Sequence, residues 1–200
     1  MKPASMAWQA ACSLAAIFVM GCANGPAVPQ AVHNPAPLRL TLALAPQALG
    51  CSVAVQQQLT VHAPGQPTQA LDALLEVDVH SVRLALFHLG QHMGTLVWDG
   101  RQLQTQLSAW WPAQLPPAQV LSDMQLALWP ASAVAQALPA DWTLQEQAQQ
   151  RRLIFQGQER VAIQAAGMQA FDIRYASVDW QLHVASPGGM RPCIAAQEAP

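Results

Sequence analysis

Between residues 52 and 62 the chain alternates. Val53, Val55, Leu59 and Val61 fall on one side; Ala54, Gln56, Gln58, Thr60 and His62 fall on the other. That period of two predicts a strand with one buried face. Ala63-Pro-Gly-Gln-Pro67 supplies a turn. Over 70–79, Leu71, Ala73, Leu75, Val77 and Val79 then oppose Asp72, Glu76 and Asp78. Val82, Leu84 and Leu86 continue the alternation, and 93–98 runs into Asp99-Gly100, the strongest short hairpin signal in the chain. Leu103, Thr105 and Leu107 form the return strand. Phe171, Ile173 and Tyr175 alternate near the end, as do Val178, Trp180, Leu182 and Val184. Strands of this kind pair antiparallel, with one face on a core.

The middle changes period. Pro116 and Pro117 suit a first helical turn, and Val120, Leu121, Met124 and Leu128 then recur at helical spacing until Pro130 ends the run. Residues 132–138 predict a short second helix, and Trp110, Trp111 and Trp129 cluster around this element. Ser122 and Asp123 belong on a solvated helix face, because no Gly-x-Ser-x-Gly elbow presents the serine as a nucleophile. The layout is strands, a helical interruption, then strands: a mainly β protein with helices (α+β). Its apolar interior is expected to involve Val53, Leu75, Val77, Leu84, Leu86, Leu121, Met124, Leu128, Trp129 and Trp180. Whether these enclose a cavity or a solid core is open from pattern alone.

The opening residues follow neither period. Lys2 precedes an apolar run over 10–20, of signal-peptide length and too short to cross a bilayer as a helix. It ends in Val19-Met20-Gly21-Cys22, which resembles the lipobox of bacterial lipoproteins; the alternative is an ordinary secretory signal with an incidental cysteine. The resemblance implies cleavage before Cys22 and acylation of that cysteine. Ala23 stands where an aspartate would imply retention at the inner membrane, so the expectation is the periplasmic face of the outer membrane. Residues 1–21 are then a leader and 22–37, with four prolines, an acylated spacer. Residues 38–200 form one domain.

Composition narrows the partners. The chain has 200 residues with nine Lys and Arg against eleven Asp and Glu. Lys2 is the only lysine and leaves with the leader, so the mature chain carries eight arginines and a net charge of 8 − 11 = −3. Nucleic-acid binding needs a basic stripe to release counterions, and polybasic attachment to anionic lipid needs the same. Neither is expected. Of four cysteines, Cys12 leaves and Cys22 is acylated. Cys51 and Cys193 remain, either paired in an oxidising compartment or present as two buried thiols. A bridge would close a long loop and contribute roughly 4–5 kcal/mol on chain-entropy grounds.

No residue pattern points to catalysis, a metal or a cofactor. His88 and His92 have i, i+4 spacing, but Gly90 between them implies a turn. Asp78, His80 and Arg83 lie opposite an apolar strand face, where charges ordinarily meet water. No HExxH or paired CxxC is present.

Several segments carry a family resemblance. Gln58-Leu-Thr-Val61, Leu74-Leu-Glu-Val-Asp78, Trp98-Asp-Gly100 and above all Leu121-Ser-Asp-Met-Gln-Leu-Ala-Leu-Trp-Pro130 resemble the uncharacterised bacterial lipoproteins grouped as domain of unknown function 3261. The likeness covers about 49–186. Such proteins are often encoded beside aryl polyene lipid genes and a LolA-like carrier. The order of elements, with Leu86-Phe-His-Leu-Gly90 leading into a hairpin, is also similar to LolB. That resemblance implies a curved antiparallel half-barrel closed by helices around an apolar cavity for acyl chains, and a membrane-insertion loop at Leu89. The function implied is binding and insertion of an acyl or lipid-like ligand, in contact with a LolA-like carrier or an exporter, without an enzyme's chemistry. The alternative is a non-catalytic assembly partner with a solid core.

Overall fold

A computed structural model describes residues 40–113, 115–166, 169–176 and 178–189. The leader, Cys22, the proline-rich spacer and Cys193 lie outside the described residues.

Five strands come first: β1 (Val53–His62), β2 (Gln69–Val77), β3 (Val82–His88), β4 (Gln91–Trp98) and β5 (Leu103–Leu107). Two helices follow, α1 (Pro117–Leu128) and α2 (Ala131–Ala137). The second set is β6 (Trp142–Gln147), β7 (Gln150–Phe155), β8 (Gln158–Ala166), β9 (Ala170–Tyr175) and β10 (Trp180–Ala185). All ten strands join one antiparallel sheet in the order β5-β4-β3-β2-β1-β10-β9-β8-β7-β6. Two meanders are thus sewn together where β1 meets β10, with Leu59 opposite Val184 and Val61 opposite Leu182. The strands β5 and β6 are the ends of this order, so the sheet is open. An open antiparallel sheet with two helices is the α+β layout that the alternation and the family resemblance together implied.

Alternation explains the first meander. Along β2, Leu71, Ala73, Leu75 and Val77 are buried while the residues between them are not. A one-residue slip would put this whole row in water, so the register with β1 is strongly specified. The strands β6, β7 and β8 escape a pattern-based reading. Each buries only one or two large apolar residues (Trp142; Leu153; Val161 and Ile163) in runs rich in Gln, Glu and Arg. They are held by pairing with neighbours more than by their own apolar content.

The turns sort to two ends. At one end lie the β1–β2, β3–β4, β7–β8 and β9–β10 connections; at the other lie β2–β3, β4–β5, β6–β7 and β8–β9. Asp99-Gly100 does turn the chain, but as a four-residue connection before β5. A tight two-residue turn forms instead at Leu89-Gly90, with φ of 50° and 75° and His88 opposite Gln91. Two positive φ values in succession make it the hairpin type that usually takes Asn-Gly.

Helix α1 crosses the inner face from the Leu89 end to the Asp99 end. The expectation of a solvated face at Ser122 and Asp123 is corrected here, since both are buried. The cause is an extended segment, residues 40–45, that runs parallel to α1 with Leu40, Leu42 and Leu44 buried in the core. This strap covers the side of the helix that would otherwise meet water. Trp111 and Trp129 pack near α1 as expected, but Trp110 points away and is 81% exposed.

Candidate functional site

The strap and α1 are joined by side chains, not by a backbone ladder. Ser122 Oγ accepts from Leu42 N at 2.9 Å and donates to Leu40 O at 3.0 Å. Gln125 brackets Leu44, its Oε1 accepting from Leu44 N at 2.8 Å and its Nε2 donating to Leu44 O at 2.9 Å. Gln119 Nε2 donates to Leu40 O at 3.2 Å. Residues 119, 122 and 125 are spaced i, i+3, i+6, so they form one stripe along the helix. Two indoles finish the contact: Trp98 Nε1 donates to Leu44 O at 2.7 Å and Trp129 Nε1 to Ala45 O at 3.1 Å. Buried backbone groups need such partners, because leaving one unmade costs about 1–3 kcal/mol.

Arg151, at the start of β7, fixes the other end of α1. Its Nη1 donates to Leu126 O at 3.0 Å and Trp129 O at 2.6 Å, while its Nε pairs with Glu146 Oε1 at 2.6 Å. A cation here satisfies carbonyls that the last helical turn leaves open and complements the helix dipole.

Between α1 and the sheet lies a cavity of ≈ 40 Å³. Its walls come from β1, β2, β3, β9, β10 and α1, so the sheet wraps the helix from both wings. Leu84, Leu86, Met124 and Trp180, all expected at an apolar interior, line it. Leu75, Val77, Leu121 and Trp129 are buried in the surrounding core away from its walls, and Val53 and Leu128 are half-buried at the margin of that core.

Three polar side chains in this apolar wall were not legible as site residues: Gln57, Gln119 and Asp123. Gln57 sits in the inward row of β1 and reaches Ser186 Oγ at 3.4 Å. Gln119 Nε2 donates to Asp123 Oδ1 at 2.6 Å and lies 2.7 Å from Tyr175 Oη. The Tyr175 hydroxyl also donates to Asp123 Oδ1, and its ring meets Trp180 edge-on at 5.4 Å. The i, i+4 spacing of Gln119 and Asp123 was the available signal, hidden because polar residues on a helix ordinarily read as its wet face.

Leu89 stands at the tip of the β3–β4 hairpin and is 86% exposed. A leucine at φ 50° costs about 1–2 kcal/mol relative to ordinary backbone. Neither the turn nor the core needs this residue type. Cys51 is half-buried just before β1 and packs against the core; its expected partner Cys193 lies outside the described residues.

The remaining candidates do not converge. His88 Nδ1 lies 2.9 Å from Ala70 O and His92 Nε2 2.8 Å from Thr95 Oγ1, on either side of the turn expected at Gly90. Asp78 organises the β2–β3 turn, accepting from His80 N at 2.7 Å and Ser81 N at 2.8 Å. Asp99 does the same at β4–β5 with Arg101 N and Gln102 N. These backbone donors hold both carboxyls below the usual aspartate value, led by His80 for Asp78 and by Gln102 for Asp99. Arg83 approaches Glu76 at 3.9 Å, an exposed pair. Among the described residues no group of three His, Cys, Asp or Glu could hold a metal ion.

Comparison with known proteins gives three findings. The family described as "Protein of unknown function (DUF3261)" matches residues 54–187. No curated protein matches. A crystal structure of a LolA superfamily protein from Nitrosomonas europaea is similar with a TM-score of 0.35 at 9% identity, over 72% of this chain and 91% of that one.

Proposed function

This chain belongs to the DUF3261 family of proteins of unknown function, and we propose that it is a non-catalytic lipoprotein, anchored at the outer membrane through acylated Cys22, that holds an acyl or lipid-like ligand between α1 and the sheet. The observation that carries this reading is the cavity beneath α1, walled by aliphatic and aromatic side chains from both wings of the sheet. At ≈ 40 Å³ it is small, against roughly 300–1,000 Å³ for ligand sites in general. Occupation therefore requires α1 to move off the sheet. The helix is hydrogen-bonded to the strap and, through Arg151 of β7 and Tyr175 of β9, to the sheet, so these side chains must part as it moves. Leu89, apolar and protruding, is the candidate for insertion into the bilayer during delivery. The natural lipid is placed in lipoprotein or aryl polyene lipid transport, with a LolA-like carrier as the donor.

The small volume also favours a second reading, an assembly partner of an exporter or carrier whose interior is only core. Uptake separates the two. The first predicts saturable binding of a fluorescent fatty acid, weakened when Met124→Glu or Leu86→Glu places charge in the wall. Absence of uptake by folded wild-type protein contradicts it.

A further inference from the structure

The Leu89 end of the sheet carries a second protruding apolar side chain. Ser108 N donates to Met93 O at 2.8 Å, which sets the end of β5 level with Met93, about 10 Å short of the β3–β4 tip at three residues' strand rise. Trp110 follows in the same turn, its N held by Ser108 Oγ at 3.2 Å, and its indole is 81% exposed. Leu107, beside it, is also exposed. The neighbouring Trp111 is anchored instead, against Gly94 of β4, and its Nε1 donates to Leu115 O at 2.7 Å. Leu115 lines the cavity. The rim of the cavity and the exposed indole are thus one short step of chain apart. Leu40, the first described residue, sits beside Gln119 in the opening of α1, on the same side.

Resting on the lipoprotein reading above, we propose that this end is a membrane-docking face, with Trp110 and Leu89 as paired anchors in a zwitterionic phospholipid surface. An indole is suited to that boundary, since its apolar body partitions while its N–H stays hydrated. Two isolated tips bury far less than the ~800 Å² per side of a stable protein interface, whereas a bilayer accepts separate insertions. A neutral surface fits because the mature chain has no lysine and is net acidic. Docking by this end sets the N-terminus of α1 and the cavity rim against the lipid from which a ligand enters or into which it leaves.

The test uses protein purified from membranes and reconstituted into phosphatidylcholine vesicles with and without a brominated phosphatidylcholine that quenches indole on contact. Wild type is expected to lose about one-sixth of its emission, one tryptophan of the six after Trp8. Trp110→Phe removes that loss, Leu89→Glu cuts it at least about twofold, and Val79→Glu, at an exposed turn on the opposite end, leaves it unchanged. Unquenched wild type, or quenching that persists in Trp110→Phe, overturns the proposal. Fatty-acid uptake is measured on the same samples: uptake without quenching removes the docking face and leaves the ligand site standing, while quenching without uptake does the reverse.

Discussion

Gln125→Met tests how the strap holds α1. Gln125 is fully buried, and its carboxamide satisfies both Leu44 N and Leu44 O. Methionine keeps nearly the same volume and helix propensity, so packing and the helix itself change little. What is lost is two hydrogen bonds. Leu44 O keeps Trp98 Nε1, but Leu44 N–H is left with no alternative acceptor in this contact. An orphaned buried N–H costs about 1–3 kcal/mol and a shared carbonyl about 0.5–1.5 kcal/mol, so the expected loss is about 1.5–4.5 kcal/mol. Urea denaturation followed by far-UV dichroism reads it as a lower midpoint with an unchanged slope. Strap release also lowers the cost of lifting α1, so fatty-acid uptake should accelerate. A stability change under about 0.5 kcal/mol would refute the claim that these side chains substitute for a strand ladder. A large loss with no change in uptake would separate the strap from ligand entry.

Further perturbations follow from single sites. Gly94→Ala places a Cβ 2.8 Å from Trp111 Cε3 and 3.0 Å from Gln106 O, an overpacking worth about 1–3 kcal/mol and visible in thermal melts. Leu89→Asn relieves the positive φ and should raise stability by about 1 kcal/mol while weakening delivery of ligand to vesicles; an unchanged denaturation midpoint argues against turn strain. Asp78 and Asp99 have carboxyls depressed in the folded state, so their contribution is fully present above the ordinary value of 3.8 and is lost as pH falls below it through the folded value. Stability measured from pH 6 down to 2 should fall less steeply below 3.8 in the Asp78→Ala, Asp99→Ala double variant than in wild type. Non-reducing peptide mapping should recover Cys51 linked to Cys193, and reduction should lower the unfolding midpoint.

Much of the sheet is written in the sequence and much of the site is not. Val53, Val55, Leu59 and Val61 identify β1 because one face meets the core and the other does not. The strands β6 to β8 carry little of that contrast, and their turns at Ala148-Gln149 and Gln156-Gly157 lack the Asn-Gly or Asp-Gly signature while adopting positive φ at Ala148, Gln156 and Gly157. For α1 the apolar periodicity was legible at Leu121 and Met124. The burial of Gln119, Ser122, Asp123 and Gln125 was not, since it depends on a strap some eighty residues earlier and on Tyr175 from β9. Helical periodicity reports one apolar face; it is silent about a second face covered by polar contacts. Leu89 stood out only through resemblance, and the structure adds the physical oddity that a leucine occupies a turn position suited to asparagine.

Native mass spectrometry of protein extracted from its own membranes reads whether the interior beneath α1 opens to hold a lipid-like molecule. Adducts of lipid or polyene mass are expected, lost after delipidation and diminished in Met124→Glu. A single clean mass for the unliganded protein, unchanged after incubation with fatty acid, would mean that the residues beneath α1 are core and nothing more.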